Sequence, residues 1–264
     1  MPSATGKFSF WDLANPTRFL SYSGKLLPWF IAATVITMTA GLYMAFFTAP
    51  PDYQQGETVR IMFIHVPSAW LAMMAYSIMT LSSIGRLVWK HPLADVSAKA
   101  AAPIGAIFTL CALITGSLWG KPMWGTWWVW DARLTSFLLL FIVYLGLVAL
   151  WRTIEDPLKA GHAAAIMTLV GSVNIPIIKY SVVWWNTLHQ PPGALRITGS
   201  SVDSSILIPL LTMAVAFSLL FLVLHAMAMR NEIKRRRIRT LHLSQAQTAT
   251  GSVTSHTLSS AEQN

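Results

Sequence analysis

Charge is scarce in this chain. Only 11% of its 264 residues are Asp, Glu, Lys or Arg, against 54% hydrophobic, and the mean hydropathy is +0.53. A soluble domain of this size needs far more polar surface, so the balance excludes one and puts the chain in a bilayer. Cysteine is nearly absent too: Cys111 stands alone in an apolar run, which rules out a disulfide framework. Acidic residues number ten against nineteen basic ones. The resulting excess of +9 would suggest a nucleic-acid surface if the cations were gathered on one soluble face, but they are strung between apolar segments and so report topology. The first 27 residues are polar and proline-bearing, with no short apolar core leading to a small-residue cleavage site, so no cleavable signal peptide is expected. There is no internal repeat and no sign of a second domain.

Long apolar runs are abundant. Crossing the hydrocarbon core takes about twenty apolar residues in a helix, and six segments qualify: 28–47, 67–88, 98–118, 134–151, 163–183 and 206–229. None contains an acidic residue, and the one internal cation, Lys179, is near enough to an end to snorkel. Helices are expected because a lipid-exposed span must satisfy its own backbone groups, whereas a barrel would show short alternating strands. The fold class is thus an all-α integral membrane protein of six transmembrane helices. Residues 1–239 form a single membrane domain, and 240–264, rich in Ser, Thr, Gln and Ala, form a disordered tail. Fourteen of the nineteen cations flank the spans on the side of the termini, and four (Arg60, Lys121, Arg133, Arg196) flank them on the other. By the positive-inside rule both termini are cytoplasmic. A kink is expected at Asn174 and Pro176 in the fifth span.

One outward connection stands apart: Trp119-Gly120-Lys121-Pro122-Met123-Trp124-Gly125-Thr126-Trp127-Trp128-Val129-Trp130-Asp131 holds five of the twelve tryptophans. Gly120, Pro122 and Gly125 are expected to stop a helix here, leaving an irregular loop that presents its indoles side by side. The plain reading is an aromatic belt at the headgroups. A belt, however, is normally scattered over several helix ends, while this one is packed into one loop closed by Asp131 and Arg133. It would suit a planar apolar ligand with charged edges. For Asp131 the favoured reading is a brace to Arg133 or to an indole N–H.

Of seven histidines, only His65 and His189 fall on the outward side; His91, His162 and His225 fall at cytoplasmic helix ends and His242 and His256 in the tail. Pro67 suits the first turn of the second span, which places His65 just outside that helix. His189 follows the fifth span, before Pro191 and Pro192. Two neutral imidazoles can bind haem iron axially while indoles cover the porphyrin. The four outward cations are candidates for the two propionates, Arg in bidentate fashion, or they are ordinary loop charges.

The run from Trp119 to Thr135, together with Phe63-Ile-His65-Val-Pro-Ser-Ala-Trp70 and Trp184-Trp-Asn-Thr-Leu-His-Gln190, resembles the tryptophan-rich WWD motif of haem-handling proteins, and specifically the haem exporter protein C family of bacterial cytochrome c maturation. The likeness covers 28–229. It implies that His65 and His189 are the axial ligands of haem b, the transported ligand. It also implies that the motif, with Trp119, Gly120, Trp124, Gly125, Trp127, Trp128, Trp130, Asp131 and Arg133, holds the haem edge. It further implies an inner-membrane protein whose site faces the periplasm. The implied partners are ATP-binding cassette transporter subunits, a small single-helix membrane protein and a periplasmic haem chaperone that receives the haem. The polar tail after Arg239 is not a feature associated with the family.

These expectations describe a haem-delivery protein that is not an enzyme. The cytochrome c haem lyase sharing the motif is much longer, with many more spans. A c-type cytochrome would carry a CxxCH attachment motif, absent here. A b-type redox cytochrome needs histidines within the spans, and none lies at mid-membrane. A transporter subunit with a haem path through its helices would show an intramembrane polar track.

Overall fold

The computed structural model describes residues 15–185, 187–189 and 202–261, with side chains described as far as residue 245. Among them the chain is helical: α1 (Pro16–Tyr43) ending in a π-helical turn (Met44–Thr48), a 3₁₀ turn (Glu57–Ile61) running into α2 (Met62–Trp89), α3 (Ala94–Trp124), α4 (Ala132–Thr153), α5 (Pro157–Gly171), α6 (Asn174–Trp184) and α7 (Ser204–Ala261). Among the described residues six helical stretches are long and apolar enough to cross a membrane: Pro16–Thr48, Glu57–Trp89, Ala94–Trp124, Ala132–Thr153, Pro157–Trp184 and Ser204–Gln245. The fifth is α5 and α6 in series. It breaks at residues 172–173, just before Asn174, whose buried amide donates to Ser136 O on α4 at 2.8 Å.

Local chemistry sets the starts. Asn15 caps α1 by accepting from Thr17 N (2.9 Å) with Pro16 behind it, Asp156 caps α5 by accepting from Leu158 N (2.8 Å) with Pro157 behind it, and Asp203 accepts from Ser205 N (2.8 Å). Each side-chain oxygen satisfies an N–H that the first turn leaves unpaired, and proline at N1 loses a bond it never had. Two expected boundaries move. α1 starts twelve residues before the first expected span, and Pro28 sits inside it. α7 continues as helical backbone past Arg239 to Ala261, where an unstructured tail was expected; that stretch holds no proline and one glycine, so little interrupts it.

The core lies where α2, α3 and α4 meet, built from Leu71, Met79, Leu140, Leu147 and an alanine-rich side of α3 (Ala98, Ala101, Ala102, Ala106, Ala112). Small α3 residues let the helices approach closely, which is how spans associate where burial from water gives no driving force. Two tyrosines lock this centre. Tyr144 donates to Ala72 O (2.8 Å), Tyr76 donates to Thr168 O (3.1 Å), and their rings meet edge to face at 5.3 Å. The connections 49–56 and 125–131 meet residues 187–189 at one end of the bundle, where Gln55 bonds Trp119 and His189 lies against Trp124 and Asp131, here the tryptophan face.

Candidate functional site

At the tryptophan face the structure revises the expected loop. α3 passes through Gly120 and Pro122 and stops at Gly125, whose φ of 76° closes the helix with its N–H donating to Lys121 O (3.0 Å). Pro122 is tolerated because it lies in the last turn, where only one backbone bond is lost and almost no helix remains to be broken. Trp119 and Trp124 therefore project from the helix, and only Trp127, Trp128 and Trp130 belong to the connection. Trp124 folds back over Gly120; a Cβ there would lie 3.1 Å from the indole. Five residues apart, Trp119 and Trp124 leave the axis about 140° apart.

Each of these two indoles meets a different histidine. The Trp119 ring stands edge-on to His65 (centroids 5.7 Å, 74°), and the Trp124 ring lies tilted against His189 (4.9 Å, 60°). His65 is not outside α2, as expected, but in its first turns. The 3₁₀ turn has already set helical geometry before Pro67, which is buried inside the helix and forgoes one bond. His65 Nδ1 lies 3.0 Å from Thr115 Oγ1 of α3. Because the Thr115 hydroxyl donates to Cys111 O (2.7 Å), it is left to accept from Nδ1–H, which puts the proton on Nδ1. The ring also rests on Gly116, where a Cβ would stand 3.0 Å from Cε1.

His189, in the segment after α6, is partly buried. Its Nδ1 faces Asp131 Oδ2 at 3.7 Å. Asp131 caps α4, its Oδ1 accepting from Leu134 N at 2.7 Å. The expected brace from Asp131 to Arg133 is not what forms, because Arg133 turns to α6 and donates to Ser181 Oγ (3.3 Å) and Ile178 O (3.4 Å). Burial and the nearby Arg133 guanidinium hold the His189 imidazole below its ordinary range, with Asp131 pulling the other way. A neutral imidazole has a lone pair to offer a metal.

The remaining tryptophans frame this pair. Trp128 and Trp130 meet edge to face at 5.5 Å, while Trp127 and Trp130 are 54% and 74% exposed, leaving broad apolar faces uncovered. Ser117 Oγ donates to Trp127 O (2.8 Å), and Lys121 donates to Gly125 O (3.0 Å) while lying 5.9 Å from the Trp127 ring centroid. Gln55 reaches across from the α1–α2 connection to accept from the Trp119 indole N–H (2.9 Å). Of the four cations considered for anionic groups, Arg60 is taken up by Glu57 and the carbonyls of Ala45 and Phe46, and Arg196 lies outside the described residues. Among the described residues eight buried side-chain polar atoms have no hydrogen-bond partner, and four of them are here: Trp128 Nε1, Asp131 Oδ2, Thr187 Oγ1 and His189 Nδ1. An orphaned buried polar atom costs about 1–3 kcal/mol, so each of the four calls for a partner that the described residues do not supply. Thr115, Gly116 and Gln55 were missed in the sequence, since each acts through a partner 50 or more residues away.

A profile described as "Heme exporter protein C" matches residues 9–244. The chain is 65% identical over 235 residues to the Heme exporter protein C of Bradyrhizobium diazoefficiens, covering 89% of each sequence. Against that of Escherichia coli K12 it is 49% identical over 222 residues, covering 84% of this chain and 89% of the relative. Against that of Paracoccus denitrificans the figures are 45% over 234 residues, 88% and 97%. The chain belongs to the haem exporter protein C family.

Proposed function

We propose that this member of the haem exporter protein C family carries haem for cytochrome c assembly, binding it at the tryptophan face with His65 and His189 as axial ligands and releasing it to a periplasmic haem chaperone. One observation carries the reading. Two imidazoles from separate segments are each packed on their own indole, with Nδ1 3.0 Å from Thr115 Oγ1 in one and 3.7 Å from Asp131 Oδ2 in the other. Imidazoles arranged in this way are ready metal ligands. Among the described residues no three His, Cys, Asp or Glu side chains converge. The pair therefore suits a metal that brings its other ligands with it, as porphyrin iron does. The open faces of Trp127 and Trp130 suit a flat macrocycle, and Trp128 Nε1 and Thr187 Oγ1 are donors that a carboxylate edge would satisfy.

The same geometry suits delivery. His65 is fixed in a helix, hydrogen-bonded to Thr115 and seated on Gly116, whereas His189 comes from a connecting segment and its nearest acceptor stands off at 3.7 Å. Release runs through His189, the ligand with less to hold it. The transporter subunits and the single-helix protein belong to this proposal as partners, with ATP use by the transporter as the trigger of release, and the tryptophan face is taken as periplasmic. The test is to mix purified haem-loaded protein, in complex with its transporter partners and ATP, with the chaperone and to follow the haem absorbance on each. Transfer that stops when ATP is withheld supports delivery. Haem that stays put while both proteins bind it normally reduces this chain to a haem store.

A further inference from the structure

The two histidines are alike in residue type but not in what stands behind them. His65 Nδ1 is backed by a neutral hydroxyl, that of Thr115, and His189 Nδ1 by a carboxylate, that of Asp131. Asp131 divides its two oxygens. Oδ1 is spent on Leu134 N at the start of α4, which fixes the carboxylate in place, and the buried Oδ2 has no hydrogen-bond partner among the described residues. His189 Nδ1, also buried, has none either. The two orphans face each other at 3.7 Å, about 0.8 Å longer than an ordinary N–H···O bond.

We propose that Asp131 is a positioning residue for His189: in the ligand-bound state its Oδ2 accepts the Nδ1 proton, which fixes the tautomer that presents Nε2 to iron and makes His189 the more electron-rich of the two ligands. This rests on the reading of His65 and His189 as axial ligands. A carboxylate behind a metal-bound imidazole orients the ring and raises its basicity, and a hydroxyl does so less. The cap is what makes the arrangement stiff: Asp131 does not swing freely, because moving Oδ2 away from His189 also disturbs the bond that Oδ1 accepts from Leu134 N at the start of α4. An unequal pair also gives each ligand a different part, with the tie at His189 needing a small closure to form and a small opening to break.

Asp131→Asn separates this role from a structural one. Asparagine is as good a cap as aspartate, and with its oxygen held by Leu134 N it turns an NH₂ donor toward His189 Nδ1. The imidazole must then accept at Nδ1 and carry its proton on Nε2, where no metal can bind. The readouts are the visible and electron paramagnetic resonance spectra of purified haem-loaded protein and its midpoint potential, beside Thr115→Val and the single variants His65→Ala and His189→Ala. We expect Asp131→Asn to take on the spectrum of His189→Ala, or to keep two ligands with a raised potential, with helix content and melting temperature unchanged. Added free imidazole should restore the parent spectrum in the first case. If the Asn variant does not yield folded protein, Asp131→Ser, which also caps but is too short to reach His189, is read by the same criteria. Parent-like spectrum and potential in the Asp131 variant, with both His→Ala variants altered, overturn this inference alone. Unaltered spectra in the His→Ala variants overturn the underlying assignment instead.

Discussion

Gly116 seats the His65 imidazole by having no side chain. A Cβ there would stand 3.0 Å from Cε1 and 3.5 Å from Nδ1, too close for the ring to stay where its bond to Thr115 holds it. Gly116→Ala should therefore lower haem affinity by about tenfold, or roughly 1.4 kcal/mol. Gly85→Ala on α2, where the added carbon meets only Ala94 at an ordinary 3.7 Å, should not change it. Haem titration of the two purified variants checks this, and equal affinities would deny Gly116 the role. The tryptophans call for a second test. An interfacial belt tolerates replacement of one anchoring aromatic by another, whereas a platform depends on ring contact, with an aromatic pair contributing about 0.5–1.5 kcal/mol beyond area burial. Trp119→Ala and Trp124→Ala should lower the haem-to-protein ratio most, since these rings touch the histidines. Normal ratios in Ala variants at Trp119, Trp124, Trp127, Trp128 and Trp130, all properly inserted, would favour the belt.

Helix ends decide the geometry of the site. α3 stops at Gly125 in the left-handed region and α4 starts at the Asp131 cap, so the connection holding Trp127, Trp128 and Trp130 is pinned at both ends. A side chain at φ 76° is strained, and Gly125→Ala should destabilise the protein by about 1–2 kcal/mol, seen as a lower melting temperature with a reduced haem ratio; an unchanged melt would show that the turn relaxes freely. The sequence told most of this scale plainly. Each of the six apolar runs lies in a helical stretch long and apolar enough to cross a membrane, and the kink expected at Asn174 and Pro176 falls at residues 172–173. Proline is an ambiguous signal here. Pro67 suits a helix start and Pro122 a stop, yet both lie inside helices, because proline accepts helical φ and loses a single bond, and which element surrounds it is settled by neighbours such as the 3₁₀ turn before α2. The residues Trp119, Trp124, Trp127, Trp128, Trp130, Asp131, His65 and His189 were legible as types clustered at one face. The acceptor behind each imidazole was not, because Thr115 and Asp131 meet those rings only through tertiary packing.

At the scale of the molecule, the end opposite the tryptophan face is tied by charge. Asp95 pairs with Arg236 (2.9 Å) and Arg86 (3.3 Å), Glu232 pairs with Lys99 (2.8 Å) and Arg236 (2.9 Å), and Arg86 also donates to Leu158 O (2.8 Å), so α2, α3, α5 and α7 are joined there. Three cations counted toward the positive-inside asymmetry are thus internal partners, and the remaining excess still favours cytoplasmic termini. A reporter active only outside the cytoplasm should signal when fused after Thr126 and stay silent when fused after Lys90; the reverse pattern would turn the site toward the cytoplasm. The central claim, that the molecule offers haem two axial imidazoles at this face, is met most directly by the electron paramagnetic resonance and visible spectra of the purified full chain. We expect a low-spin bis-histidine signature in the parent and in His91→Ala, His162→Ala and His225→Ala, and its loss in the His65→Ala, His189→Ala double variant. An unaltered bis-histidine spectrum in that double variant would contradict the assignment.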